Sequence, residues 1–303
     1  MKSRLPYLAL MHLIIFMWGF TGILGKLIHL EAFTLVWARM LIATLSLGIV
    51  IVLFKIPLKI KGRRLKLWVA TGGVFVALHW ITFYTSIQLS TASLGILCLS
   101  TATIHVTWLE PLILKTKFSW SQMAMASVIV IGIWLVSRDL DFKQTQALGF
   151  GLFSALCAAL FTVINAKVSE DVKTPTLAFY EFSVGLIFVS ILIPFVTEFD
   201  LRVFHLPMGE LGWLLFLAIG CTTFAFLATI EVVKVLGVFT VSLSINLEPV
   251  YTIILAVVML GEDAFLNTDF YVGTAIILAA VLVNGLLKNR QSRLAKKSIQ
   301  VSD

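Results

Sequence analysis

Glu248 and Pro249 stand side by side within an apolar run, two residues after Asn246. Proline has no amide hydrogen, so in a helix the carbonyl of Ile245 loses its partner there and the helix kinks. A bare carbonyl beside a carboxyl group and an amide could bind a proton or a polar solute. Facing a wet cavity, Glu248 could exchange a proton. Facing another helix, it would serve as a neutral, hydrogen-bonded acid and do no chemistry.

His79-Trp80 and His105 also fall inside apolar runs, as do Trp18, Tyr251, Arg39 and Glu181. An imidazole changes charge near neutral pH, which suits proton exchange, but a neutral one equally bridges two helices. Neither His79 nor His105 has a histidine or carboxylate at helical i+4 spacing, so no metal site is expected. Trp18 could stack on a solute or fill core. Arg39 and Glu181 could each serve a gate or a backbone carbonyl, and Arg39 could instead snorkel toward the surface. Tyr180 and Asn165 are secondary candidates for a cavity wall. Glu110, beside Lys115 and Lys117, reads as interfacial, His12 lies outside the site, and Glu262 reads as a helix terminus. There is no Walker sequence, no GxSxG elbow and no HExxH, so ATP-driven pumping and common hydrolase patterns are excluded and no cofactor is expected. Cys98, Cys157 and Cys221 all lie in apolar runs and form no CxxC pair, consistent with small packing residues.

Elements able to position such residues must be apolar throughout. Hydrophobic residues make up 59% of the 303 and charged residues only 13%, against roughly a quarter in soluble domains. Mean hydropathy is +1.01. A transmembrane helix needs about 20 mostly apolar residues. Ten such runs are predicted, at 7–25, 33–54, 67–86, 91–114, 120–137, 147–166, 175–196, 211–231, 236–260 and 268–287. The first is too long for a signal-peptide core and is expected to stay uncleaved.

The net charge of +7 is distributed by side rather than gathered in a nucleic-acid stripe, so no nucleic-acid partner is expected. With ten alternating spans, 18 of the 23 lysines and arginines fall on the side of the N-terminus and four on the other, Arg39 lying within a span. Six of the 18 are in the 55–66 loop and five in the tail from Lys288 to Lys297. That asymmetry places both termini in the cytoplasm of a bacterial inner-membrane, multi-pass protein. Residues 289–303 are polar and expected to be disordered.

The chain also divides in two. Gly25-Lys26 corresponds to Ala166-Lys167, the segment Thr34 to Arg39 to the segment Thr176 to Glu181, and Trp68 to Trp213. Five helices per half is an odd number, so the second half inserts upside down. The predicted architecture is an all-α integral membrane protein of ten transmembrane helices, arranged as two inverted five-helix repeats, residues 1–142 and 143–288. In span register Thr103 matches Pro249, so no proline kink is expected in the first half. The other Leu-Glu-Pro, at 109–111, lies near the end of its span.

Phe16-Met17-Trp18-Gly19, Trp37-Ala38-Arg39-Met40 and Leu243 to Val250, running into Leu260-Gly261-Glu262, resemble the drug/metabolite transporter superfamily in its ten-helix EamA-type exporter branch. The resemblance covers residues 7 to about 287. It implies export or exchange of a small metabolite, often an amino acid or related compound, and no enzyme activity. Inverted repeats place a solute site near the midplane. The expected translocation residues are Trp18, His79, Trp80, His105, Asn246, Glu248 and Tyr251, with Arg39 and Glu181 as gating or charge residues and Pro249 as the kink. The expected partners are a small solute and the bilayer, with movement either by exchange for protons or by simple facilitated diffusion; one chain suffices for a pathway, so a monomer is the default. The rival readings are a membrane-embedded enzyme acting on a lipid-soluble substrate and a non-transporting receptor or scaffold.

Overall fold

A computed structural model describes residues 4–236 and 238–283, with only the backbone described at 238, 239, 242 and 243. The tail expected to be disordered and cytoplasmic lies outside the described residues. Among the described residues all regular structure is helical. Eight helices are long and apolar enough to cross a membrane: α1 (Leu5–Leu27), α2 (Ala32–Leu53), α3 (Arg63–Leu89), the pair α4 (Ala92–Ser100) and α5 (Ala102–Leu114), α6 (Trp120–Ser137), α7 (Phe142–Val168), α8 (Thr174–Val196), and Met208–Leu236. The last comprises α9 (Met208–Leu215), a π-helical stretch at Phe216–Phe224 and α10 (Ala225–Leu236). After α11 (Val238–Ile245) come two shorter apolar helices, α12 (Glu248–Leu260) and α13 (Thr268–Val283).

Local chemistry sets the ends. Asp141 and Gln144 form a reciprocal capping box at the start of α7, with bonds of 2.7 and 3.0 Å. Pro6 and Pro175 sit in the first turns of α1 and α8, where a missing amide hydrogen costs no bond. α12 ends on Gly261 at φ +64, a left-handed conformation that glycine adopts without strain.

Two of the predicted spans are broken near their centres. The 91–114 run breaks at Thr101, whose backbone amide and hydroxyl both donate to Cys98 O, at 2.9 and 2.6 Å. No proline is present there, and a threonine turn makes the break instead. The 236–260 run breaks at Asn246 and Leu247, with Leu247 N–H donating to Ser244 O at 2.9 Å. Pro249 stands in the first turn of the helix that restarts there.

Close packing relies on small residues. A β-carbon at Gly73 would stand 2.5 Å from the carbonyl oxygen of Glu181, so α3 and α8 touch backbone to backbone. Outward-facing side chains are large and apolar, including Phe195 (83% exposed) and Val258 (76%). Such a surface is a liability in water and is matched by lipid tails.

The end of the bundle where α1 finishes is stitched by polar contacts. Glu262, only 4% exposed, accepts from the backbone amides of Ala92 (2.7 Å) and Ser93 (2.9 Å) and so caps α4. Lys26 donates to Ser90 O (2.6 Å), and His29 N–H to Glu210 (2.9 Å). In the connection after α8, Arg202 donates to both carboxylate oxygens of Asp200 and holds that carboxyl below its usual range.

Candidate functional site

One cavity of about 650 Å³ lies inside the bundle. It reaches from Arg39 and Trp80 down to Thr174 and Lys234, at the end where α1 starts. Its walls are largely aromatic: Trp18, Trp80, Phe83, Phe161, Phe182 and Phe226. Ring contacts such as Trp80–Phe182, centroids 5.3 Å apart, hold these walls in shape.

Arg39 supplies a buried charge in the cavity wall. It is 5% exposed, so the idea that it snorkels toward the surface is corrected. Its guanidinium carbon lies 3.7 Å from the centroid of the Trp80 ring. Nε donates to Thr222 Oγ1 and Nη1 to Tyr84 OH, both at 3.0 Å. Thr222 is presented by the π-helical stretch, where its hydroxyl donates five residues back to Leu217 O at 2.8 Å. The wider turn rotates Thr222 and Thr223 inward, and Thr223 meets the Ser46 hydroxyl at 2.7 Å. Among the described residues no carboxylate lies within 4 Å of Arg39, so neutral hydroxyls and an aromatic face surround the cation. Glu248 lines the same cavity.

His79 lines the wall and is 8% exposed. The Ser154 hydroxyl donates to His79 O (3.0 Å), so its oxygen accepts from His79 Nδ1 (2.8 Å), which fixes the tautomer. Glu181 lines the cavity from α8, nearer the end bearing Thr174, with Asn165 Nδ2 donating to Glu181 Oε2 at 3.2 Å. Arg39 and Glu181 therefore form no pair and have separate partners.

A second, smaller crevice of about 190 Å³ lies where the two broken helices meet. Ile96, Ser100 and Thr103 face Ile245, Asn246, Glu248 and Pro249 across it. Leu99, Ile245 and Glu248 line both spaces.

The remaining candidates lie apart. His105 lines neither space; its ring packs on Trp108 at 6.3 Å, and Nδ1 has no partner among the described residues. Tyr251 bonds His12 Nδ1 at 3.1 Å and packs on Phe16, which ties α12 to α1. Tyr180 donates to Leu58 O and fixes the loop before α3. Sequence reasoning missed Thr222 and Tyr84 as the partners of Arg39, and it missed Glu262 as a buried cap. A signal did exist for Glu262: a carboxylate directly after a helix-ending glycine is free to turn back onto another helix.

An aromatic cavity with a buried cation, enclosed by apolar membrane-length helices, defines a membrane protein that handles a small solute. The chain belongs to the EamA-like transporter family, whose model matches residues 5–138 and again residues 145–286. It is therefore a membrane transporter of the drug/metabolite transporter superfamily, with a small molecule as its solute. It is similar to "Uncharacterized transporter YxxF" of Bacillus subtilis (strain 168), 23% identical over 299 residues, covering 96% of this chain and 92% of that protein. A solved structure described only as "Crystal structure of protein" shares the fold with a TM-score of 0.63 and 16% identity, over 95% of this chain and 99% of the other.

Proposed function

We propose that the protein is a secondary transporter that exports a small organic metabolite, an amino acid or a related compound, by alternating access. The observation that carries this reading is the cavity, lined by aromatic side chains and the buried Arg39 and extending to Thr174 and Lys234. By the lysine and arginine count that end is cytoplasmic, so the arrangement is inward-facing. The opposite end is stitched by Glu262, Lys26 and Glu210. Ten spans in two inverted halves, residues 1–142 and 143–288, are supported by matched breaks at Thr101 and at Asn246-Leu247 in the fourth and ninth spans. The two family-model matches lie along the same division.

Trp18, His79, Trp80, Arg39 and Glu248 contact the solute in this reading. Arg39 takes its anionic group, the aromatic walls take its body, and one chain in the inner membrane of a bacterium completes the path. Movement is by proton exchange or by facilitated diffusion, without chemical change in the solute.

Solute-pool profiling of cells with and without the protein tests the function, followed by flux into reconstituted vesicles. One class of metabolite accumulating inside cells that lack the protein, and crossing vesicles unaltered, is the expected result. A solute recovered chemically changed would support an enzyme instead.

A further inference from the structure

Glu181 is 2% exposed and lies within hydrogen-bond distance of Asn165. One bond joins them, from Asn165 Nδ2 to Glu181 Oε2. The other two oxygens, Glu181 Oε1 and Asn165 Oδ1, are buried and have no partner among the described residues. Both converge on Gly72 of α3. A β-carbon there would overlap Glu181 Oε1 and stand 3.5 Å from Asn165 Oδ1.

Two unpartnered acceptors in one enclosed spot are costly, because neither recovers the hydrogen bonds it had in water. A single hydrogen satisfies both. A carboxylic acid and a primary amide pair through two antiparallel bonds, N–H to carboxyl oxygen and O–H to amide oxygen. The first is present, and the leftover atoms are those of the second. An ammonium or a metal ion needs several ligands and its own volume, and Glu181 lies close against Gly72 there. A proton needs none.

We propose that Glu181 and Asn165 form a proton-binding site, with the proton on Glu181 Oε1 donated to Asn165 Oδ1. Loading takes a proton from hydronium in the cavity, forming the Oε1–H bond and leaving water; unloading reverses it and leaves a carboxylate. The other titratable groups that line the same cavity are Arg39 on α2, His79 on α3, Cys221 on the π-helical stretch, Lys234 on α10 and Glu248 on α12. None of them is hydrogen-bonded to Glu181. Residence of the proton stands on this geometry alone; its use as the coupling ion rests on the transport reading above.

Infrared spectroscopy of the full chain in lipid nanodiscs at neutral pH tests residence directly. Wild type should show the C=O stretch of a neutral carboxylic acid, shifting in deuterium oxide. Glu181→Gln should remove about one carboxyl's worth of it, and Glu248→Gln should leave that component in place. Asn165→Ala, which removes the acceptor, should shift its frequency. A spectrum unchanged in Glu181→Gln overturns the proposal. Should that variant fail to purify, an unshifted band in Asn165→Ala overturns it equally.

Glutamine can reproduce the paired arrangement with its own N–H, so Glu181→Gln mimics the loaded state. Raising the pH strips the proton from wild type and parts the pair, so its thermal midpoint should fall more than that of the variant. Equal pH profiles would overturn the proposal. Neither readout involves solute, so its failure is distinct from failure of the transport reading.

Discussion

The guanidinium carbon of Arg39 lies over the Trp80 ring, 3.7 Å from its centroid, in a cavity wall where every bonded partner is neutral. A cation held by an aromatic face and two hydroxyls keeps much of its attraction for an anion. A carboxylate bonded directly to it would have cancelled that attraction.

Arg39→Lys keeps the charge and loses the planar stack and the fixed fork. The expected effect is about 1–2 kcal/mol, a roughly five- to thirty-fold drop in affinity for an anionic solute. Transport of the solute identified by pool profiling, measured against concentration, checks this. An unchanged affinity would remove Arg39 from recognition.

Topology is open to thiol labelling, since the native cysteines Cys98, Cys157 and Cys221 are buried. Lys61→Cys should resist an impermeant thiol reagent added to intact cells, and Glu198→Cys should react. Reversal of the two results would invert the orientation.

Glu262 caps α4 with both carboxylate oxygens. Glu262→Ala leaves two amides without acceptors and should lower stability by about 1–2 kcal/mol. Glu262→Gln, with one acceptor oxygen, should fall between. Thermal unfolding in detergent gives the order, and an alanine variant as stable as wild type would refute the cap's contribution.

Pro249→Ala restores an amide hydrogen in the first turn of α12 and lets α11 and α12 approach one continuous helix. Flux should drop while expression and thermal midpoint stay near wild type. Normal flux would take the break out of the mechanism.

The long apolar helices were legible in the sequence because hydropathy averaged over about 20 residues survives any local detail. That same averaging hides which carbonyl each amide chooses. Thr101 breaks its helix through a bond three residues back, and the stretch at Phe216–Phe224 widens through bonds five back, yet the composition of neither segment changes. The inward turn of Arg39 was hidden for another reason. Its partner Thr222 lies 183 residues away, and depth along a helix does not say which way a side chain points. Asn165 and Glu181 were each legible as polar residues in apolar runs, but their hydrogen bond became visible only once α7 and α8 were placed.

The paired breaks have a mechanical consequence. A straight helix carries a bending moment along its whole length, so pushing one end tilts the other. A helix interrupted by a turn, as at Thr101 and at Asn246-Leu247, transmits less of it across the interruption. Beyond the gaps, Glu262 clamps α12 to α4, which makes those two segments one rigid cap. α5 and α11 lie on the other side of the two breaks, and Glu248 lines the crevice where the breaks meet, so the least stiff points of both helices border the same space.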